Sequence, residues 1–261
     1  MPGIANIVSY FWAITVVAEL VLLSSLAIRK DYREYPAFFI YILGTVLQAV
    51  VLFLTYRRLS FNSMTSWRVA WSTQIVLVVL QGLVVAEICH RLLGKYRGVW
   101  ALTWRILVTL ATCVLVYAFL ASGHNRLLLM PILQRALELA IATTIVTLFV
   151  FARYYEIEPD SAVRALGLGF LLMACFVALN NTFLERFIDR YAPLWTFLDM
   201  LAFFACVVIW GFALRQPRRV ASEARLLSSE IYSVIMPEMN LRLRLLNERL
   251  SRFLRVEAGP R

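Results

Sequence analysis

The sequence has few of the residues on which most enzyme and cofactor sites depend. Its 261 residues include only two histidines, His90 and His124, and two lysines, Lys30 and Lys95. A metal-dependent membrane hydrolase or a haem-binding bundle needs several histidines in its helices, and retinal chemistry needs a lysine in a late helix. No glycine-rich phosphate loop is present either. We therefore predict no cofactor and favour a function other than catalysis.

Cysteine is scarce, and its four copies are not paired in the sequence. Cys89, Cys113, Cys175 and Cys206 each lie inside an apolar run, and none belongs to a CxxC motif. Thiols in such runs usually pack as small hydrophobic side chains. The sequence therefore predicts neither a disulfide framework nor a redox motif.

Charge is also sparse, since charged residues make up 16% of the chain and hydrophobic residues 61%. A soluble domain carries about 25% charged and about 45–50% apolar residues, so this composition predicts a protein that is solvated by lipid. The net charge of +10 falls mostly in short segments between apolar runs. This placement indicates membrane topology and contact with lipid headgroups, not a nucleic-acid partner.

Seven apolar windows are long enough to cross a bilayer, which requires about 20 residues at 1.5 Å rise per residue. The connections between them are short, so neighbouring helices must be antiparallel. We predict an all-α fold with a seven-helix transmembrane bundle in residues 1–214 and a cytosolic helical tail in 215–261. The predicted spans are Ile4–Ile28, Ala37–Thr55, Val69–His90, Val99–Ala121, Pro131–Ala152, Ala165–Leu184 and Pro193–Leu214.

The distribution of basic residues predicts the orientation. Segments at one end of the bundle hold 12 Lys and Arg residues, and segments at the other end hold 7. Cytoplasmic segments carry the excess of Lys and Arg in membrane proteins. We therefore expect the N-terminus outside and the C-terminus in the cytosol.

The tail has the spacing of an amphipathic helix. Apolar residues recur at intervals of 4, 3, 4 and 3, which is a heptad seam typical of helix self-association, and Pro237 predicts a break before it. The tail could also dock on cytosolic loops or bind anionic lipid through its arginines. The seam consists of Met239, Leu243, Leu246, Leu250 and Phe253.

Polar residues inside the spans are the natural candidates for function, because ionisable groups in a membrane are costly and usually face the bundle interior. With the predicted orientation, several of them lie in the outer part of the bundle, where they could form a polar cavity that opens outward. The alternative is interhelical hydrogen bonding, or pairing of Glu138 with Arg135. The candidates are Gln48, Gln74, Glu138, Asn180, Asn181 and Asp199, with Glu19 near the middle of the first helix.

Glu87 and His90 stand three residues apart, the spacing that di-metal carboxylate bundles use on one helix face. Those bundles need this element twice, and the second histidine, His124, falls in a predicted outer loop. Pairing of Glu87 with Arg91 is the alternative to a metal site.

Three functions fit these features. The first is a sensor-like or scaffold protein that binds a small ligand or lipid and couples through its tail to a cytosolic or membrane partner or to a second copy. The second is an oligomeric channel or an ion-coupled carrier lined by Glu19, Glu138 and Asp199. The third is an accessory subunit of a larger membrane complex.

Overall fold

The computed structural model describes residues 2–59, 63–94, 96–123, 126–155 and 157–215, together with residues 241, 245, 246, 248, 249 and 252 of the tail. Within the helices, the side chains of 2–9, 97, 126–131 and 180–196 lie outside this description. The described part is all-helical and contains no strand. Its helices are α1 (Pro2–Ile28), α2 (Pro36–Arg58), α3 (Met64–Leu93), α4 (Arg97–Ser122), α5 (Arg126–Tyr154) and α6 (Ser161–Arg215), with a short 3₁₀ turn at Asp31–Arg33.

The predicted seven spans are confirmed. Each of α1 to α5 contains one segment that is long and apolar enough to cross a membrane, and α6 contains two, Ser161–Leu179 and Phe197–Arg215. The chain is therefore a multi-pass helical membrane protein.

The ends of the helices follow local signals. α2 begins at Pro36, where the missing N–H of proline removes no helical hydrogen bond. α3 begins five residues before the predicted Val69, because the Ser63 hydroxyl accepts a hydrogen bond from Ser66 N at 3.0 Å and caps the helix. At the end of α4, Gly123 adopts a positive φ of 52°.

The last two spans differ from the prediction in one respect. We expected a connection at 185–192 between two helices, whereas the backbone is helical from Ser161 to Arg215. Residues 185–192 contain neither glycine nor proline, and the nearest helix-breaking residue is Pro193, directly after them.

The two ends of α6 nevertheless lie side by side. Cys206 Sγ is 3.2 Å from the Gly169 carbonyl oxygen, and the Phe170 and Trp210 rings are 4.8 Å apart. On a straight helix, residues 169 and 206 would be separated by about 55 Å at 1.5 Å per residue. The chain therefore reverses direction between the two spans.

An aromatic cluster of Phe38, Tyr41, Phe170 and Trp210 forms the centre of the core. The Trp210 ring is fully buried and lies 5.2 Å from the Phe38 ring and 6.3 Å from the Tyr41 ring. Because Phe38 and Tyr41 belong to α2, this cluster fixes α2 against both spans of α6.

One end of the bundle is formed by residues 29–35, 91–94, 96, 155, 157–160 and Arg215, and we call it the basic end. α1 and the second span of α6 run in the same direction toward it, since Ser25 and Arg215 line one groove there. At the opposite end of these helices, the Phe11 ring is 5.3 Å from the Phe197 ring. The basic end is the one that the charge distribution predicts to be cytosolic.

Most of the predicted tail lies outside the described residues. Of the heptad seam only Leu246 is described, and Met239, Leu243, Leu250 and Phe253 are not. The six described positions are helical, and Arg252 pairs with Glu248 at 3.7 Å. The amphipathic tail and its role in self-association stay predictions.

Candidate functional site: buried carboxylates in the bundle

Glu138 of α5 is buried, with 2% of its surface exposed, and it contacts α3 rather than solvent. Gln81 Nε2 donates a hydrogen bond to Glu138 Oε2 at 3.0 Å. Gln81 is itself buried, so this bond links two helices inside the membrane region. The hydrogen-bond partner described for Glu138 is thus the neutral amide of Gln81. This favours a role for Glu138 in interhelical hydrogen bonding over one in an outward-facing polar cavity.

Glu19 of α1 is 4% exposed and faces α2. The Thr45 hydroxyl of α2 neighbours the Glu19 carboxyl group, and it donates a hydrogen bond to the Ile42 carbonyl oxygen at 2.8 Å. A hydroxyl has one proton to donate. While Thr45 donates to Ile42, it can only accept a hydrogen bond from Glu19.

Asp199 lies in the second span of α6, and its carboxylate is within electrostatic range of Glu138. Within the described part of the chain, Asp199 Oδ1 and Glu19 Oε2 are buried atoms without a hydrogen-bond partner. The Tyr41 side chain of α2 is within electrostatic range of Glu19, Glu138 and Asp199. Glu19 and Glu138 are buried, and Asp199 is partly buried with its Oδ1 enclosed. We call these three residues, which come from α1, α5 and α6, the buried carboxylates.

The remaining predicted residues separate into two sets. Gln48 Nε2 donates to Gln74 Oε1 at 3.1 Å and to Thr73 Oγ1 at 3.2 Å, so these side chains pair across α2 and α3. The side chains of Asn180 and Asn181 lie outside the described residues. The predicted outward-facing polar cavity therefore stays a prediction.

Glu87 and His90 make contacts that do not require a metal. Glu87 Oε2 accepts a hydrogen bond from Phe38 N at 3.2 Å, at the start of α2. The His90 ring packs against Trp100 with 4.7 Å between the centroids. Across the described residues, no three His, Cys, Asp or Glu side chains lie close enough together to hold a metal ion.

A polar cavity of about 800 Å³ lies at the basic end and was not predicted. Tyr35 stands beside it, where the Arg91 guanidinium lies 4.0 Å above the Tyr35 ring and the Tyr35 hydroxyl donates to Asp160 Oδ2 at 3.4 Å. Burial raises the pKa of the Tyr35 hydroxyl to about 12, although the charge of Arg91 acts to lower it. The cavity is lined by side chains of both signs, among them Arg33, Glu87, Arg91, Glu158 and Asp160.

Tyr41, Thr45 and Gln81 were not among the predicted residues, although their spacing from the predicted Gln48 and Gln74 gives a signal for them. Tyr41, Thr45 and Gln48 follow one another at intervals of 4 and 3, which places them on one face of α2. Gln74 and Gln81 are seven residues apart and share a face of α3 in the same way. A search for polar residues at helical spacing would have found both stripes.

No family model, curated protein or solved structure matches this chain. Its function is therefore inferred from the contacts of the buried side chains.

Proposed function

We propose that this chain is a sensor-like membrane protein in which the buried carboxylates take up a proton and the cytosolic tail passes the resulting state to a partner. The observation that carries the proposal is that one oxygen of Glu19 and one of Asp199 are buried without a hydrogen-bond partner within the described residues, while Glu19, Glu138 and Asp199 all lie within electrostatic range of Tyr41. Ionisable groups in a membrane interior usually mark ion pathways, proton relays or ligand sites.

A proton fits this arrangement better than a bound metal ion. A metal ion needs several ligands at one point, whereas a proton needs one carboxylate and one acceptor. Thr45 supplies the acceptor, because its own proton is directed to the Ile42 carbonyl oxygen. A protonated Glu19 can donate to Thr45 Oγ1, so that both groups are satisfied.

Infrared spectroscopy of the protein in lipid nanodiscs tests this proposal directly. We expect the C=O stretching band of a protonated carboxylic acid at neutral pH, with a shift in D₂O. The band should weaken in Glu19→Gln and keep its intensity in Glu158→Gln, which changes an exposed carboxylate outside the spans. If Glu19→Gln, Glu138→Gln and Asp199→Asn all leave the wild-type spectrum unchanged, the proposal is wrong.

An ion-coupled carrier is the second candidate, because the same three carboxylates would serve it. Liposomes that contain the protein and a pH-sensitive dye separate the two functions. A sensor should leave the proton leak at the level of protein-free liposomes, and a channel or proton-coupled carrier should raise it. A defined hetero-complex on purification in mild detergent would instead favour an accessory subunit.

The proposed signalling direction requires the C-terminus in the cytosol. The excess of Lys and Arg at the basic end supports this orientation. A reporter that is active only in the cytosol should give a signal when it is fused after Arg261. Signal from a reporter that is active only outside the cytosol would reverse the orientation and exclude the tail as a cytosolic output.

A further inference from the structure

A groove of about 210 Å³ separates α1 from the second span of α6, and its two ends differ in character. Most of its wall is apolar, formed by Ala18, Val21, Val207 and Phe212 among others. At the basic end, the wall changes to Ser25 and Arg215. The groove therefore offers hydrocarbon contact along its length and a cation with a hydroxyl group at one end.

The charge at that end is reinforced by the segment that follows α1. Arg29 and Ser24 line a second depression of about 430 Å³, which shares Val21 and Ser25 with the groove. Arg29 Nε lies 3.5 Å from Asp31 Oδ2, so Asp31 offsets part of this charge. Lys30 is exposed next to it, so among the described side chains Arg29, Lys30 and Arg215 stand against the carboxylate of Asp31.

We propose that this groove binds an anionic glycerophospholipid, with one acyl chain along the apolar wall and the phosphate at Arg215, Arg29 and Ser25. The inference does not depend on the protonation of the buried carboxylates. Basic pockets between transmembrane helices on the cytoplasmic side bind anionic headgroups. Arginine suits this position because its apolar stem covers hydrocarbon while its guanidinium reaches the headgroup region.

The size of the groove favours a lipid over a second protein chain. A transmembrane helix with its side chains is about 10–12 Å in diameter, which is too large for a groove of about 210 Å³. A single acyl chain is thin enough to do so. The open space beside Gly211 fits this view, because a methyl group built there would meet no atom within 4 Å.

Two variants remove the two halves of the proposed interaction. Gly211→Leu fills the apolar part of the groove, and Arg215→Gln removes the cation at its end. Their controls are Gly82→Leu and Arg153→Gln. Gly82 also has open space around it, and it lines an apolar groove between α3, α4 and α5 whose lining contains no charged residue. Arg153 is an exposed arginine that does not line the groove between α1 and α6.

Native mass spectrometry of the full chain in mild detergent measures the binding. Phosphatidylglycerol and phosphatidylcholine with the same acyl chains are added at equal concentrations. We expect the wild-type protein to retain phosphatidylglycerol preferentially, and Arg215→Gln to lower its affinity about fivefold, which corresponds to about 1 kcal/mol per basic residue. Gly211→Leu should lower the retention of phosphatidylglycerol, and both controls should retain it as the wild type does.

Three outcomes would overturn the proposal. The first is equal retention of both lipids by the wild type, and the second is unchanged retention of phosphatidylglycerol in Gly211→Leu and Arg215→Gln. The third is a fall in oligomeric mass of Gly211→Leu with lipid retention intact, which would assign the groove to a second copy of the chain. A thermal unfolding transition like that of the wild type verifies that each variant is folded.

Discussion

Replacement of Gly169 by alanine should destabilise the protein through a single contact with Trp210. A methyl group at this position would overlap Trp210 Nε1 and lie 2.7 Å from Trp210 Cε2, whereas carbon atoms pack best at about 3.5–4.0 Å. Trp210 is fully buried among Phe38, Tyr41 and Phe170, so its ring has no free space into which it can move. One of the two spans of α6 must shift instead.

The expected magnitude follows from two opposing effects. Overpacking of a well-packed core costs about 1–3 kcal/mol, and alanine is better than glycine in a helix interior by about 0.5–1 kcal/mol. The middle of each range gives a net loss of about 1 kcal/mol, which lowers the melting temperature of a chain of this size by roughly 2–4 °C.

Thermal unfolding in mild detergent, followed by circular dichroism, measures this effect, and two glycines of α6 provide matched controls. Gly211→Ala meets no atom within 4 Å and should leave the melting temperature unchanged or raise it. Gly167→Ala would lie 2.5 Å from Phe149 Cζ, but Phe149 is only half-buried and its ring edge can turn away. We expect Gly167→Ala to lower the melting temperature by less than Gly169→Ala does and by more than Gly211→Ala does. If Gly169→Ala is as stable as Gly211→Ala, the contact between the two spans of α6 is not as we describe it.

Three further predictions concern the buried pair, the basic end and the tail. Gln81→Leu should lower the free energy of unfolding by about 1–3 kcal/mol, because Glu138 loses its hydrogen-bond donor inside the core. Unfolding in detergent measures this change, and Gln74→Leu, at a partly buried position, is the comparison. The pKa of Tyr35 is raised from 10.0 to about 12, so the stability that Tyr35 contributes is present below about pH 10 and is lost as the pH rises toward 12. Tyr35→Phe should therefore weaken the loss of stability at alkaline pH. Tyr154→Phe, which changes an exposed tyrosine, should leave that loss unchanged. Replacing Leu243, Leu246 and Leu250 together by Ser should lower the oligomeric mass in detergent without unfolding the spans, and an unchanged mass would reject assembly through the tail.

The number and position of the membrane spans could be predicted because lipid imposes a length on every apolar segment. The reversal of the chain inside α6 was harder to predict from the sequence. The residues between its two spans include Glu185, Arg186 and Asp189, which mark the end of an apolar run. Hydropathy responds to those charges, but a helical backbone depends on propensity and on breakers, and the nearest breaker, Pro193, stands only after 185–192. The predicted connection therefore coincides with the reversal between the two spans, although the backbone through it is helical.

The partners of the buried polar residues could not be predicted in the same way. A helix in a soluble protein shows its inward face through its apolar stripe, whereas a membrane helix is apolar all round and does not reveal which face points inward. Glu138 and Gln81 are 57 positions apart and meet only because α3 and α5 turn these faces toward each other. The choice of Glu19, Glu138 and Asp199 required only that they are ionisable and inside a span, which is why these residues could be named before their neighbours were known.

Glu87 shows how a neighbouring helix changes the partner that local spacing suggests. Arg91 stands four residues after Glu87 on α3, and such a pair stabilises an isolated helix. Here α2 begins nearby at Pro36, and the first N–H groups of a helix have no partner within it. Glu87 Oε2 accepts from one of them, Phe38 N, while remaining within electrostatic range of Arg91. Arg91 in turn lies over the Tyr35 ring, immediately before α2. Both side chains of the expected pair thus hold the start of α2 against the end of α3, and this joint forms one wall of the polar cavity at the basic end.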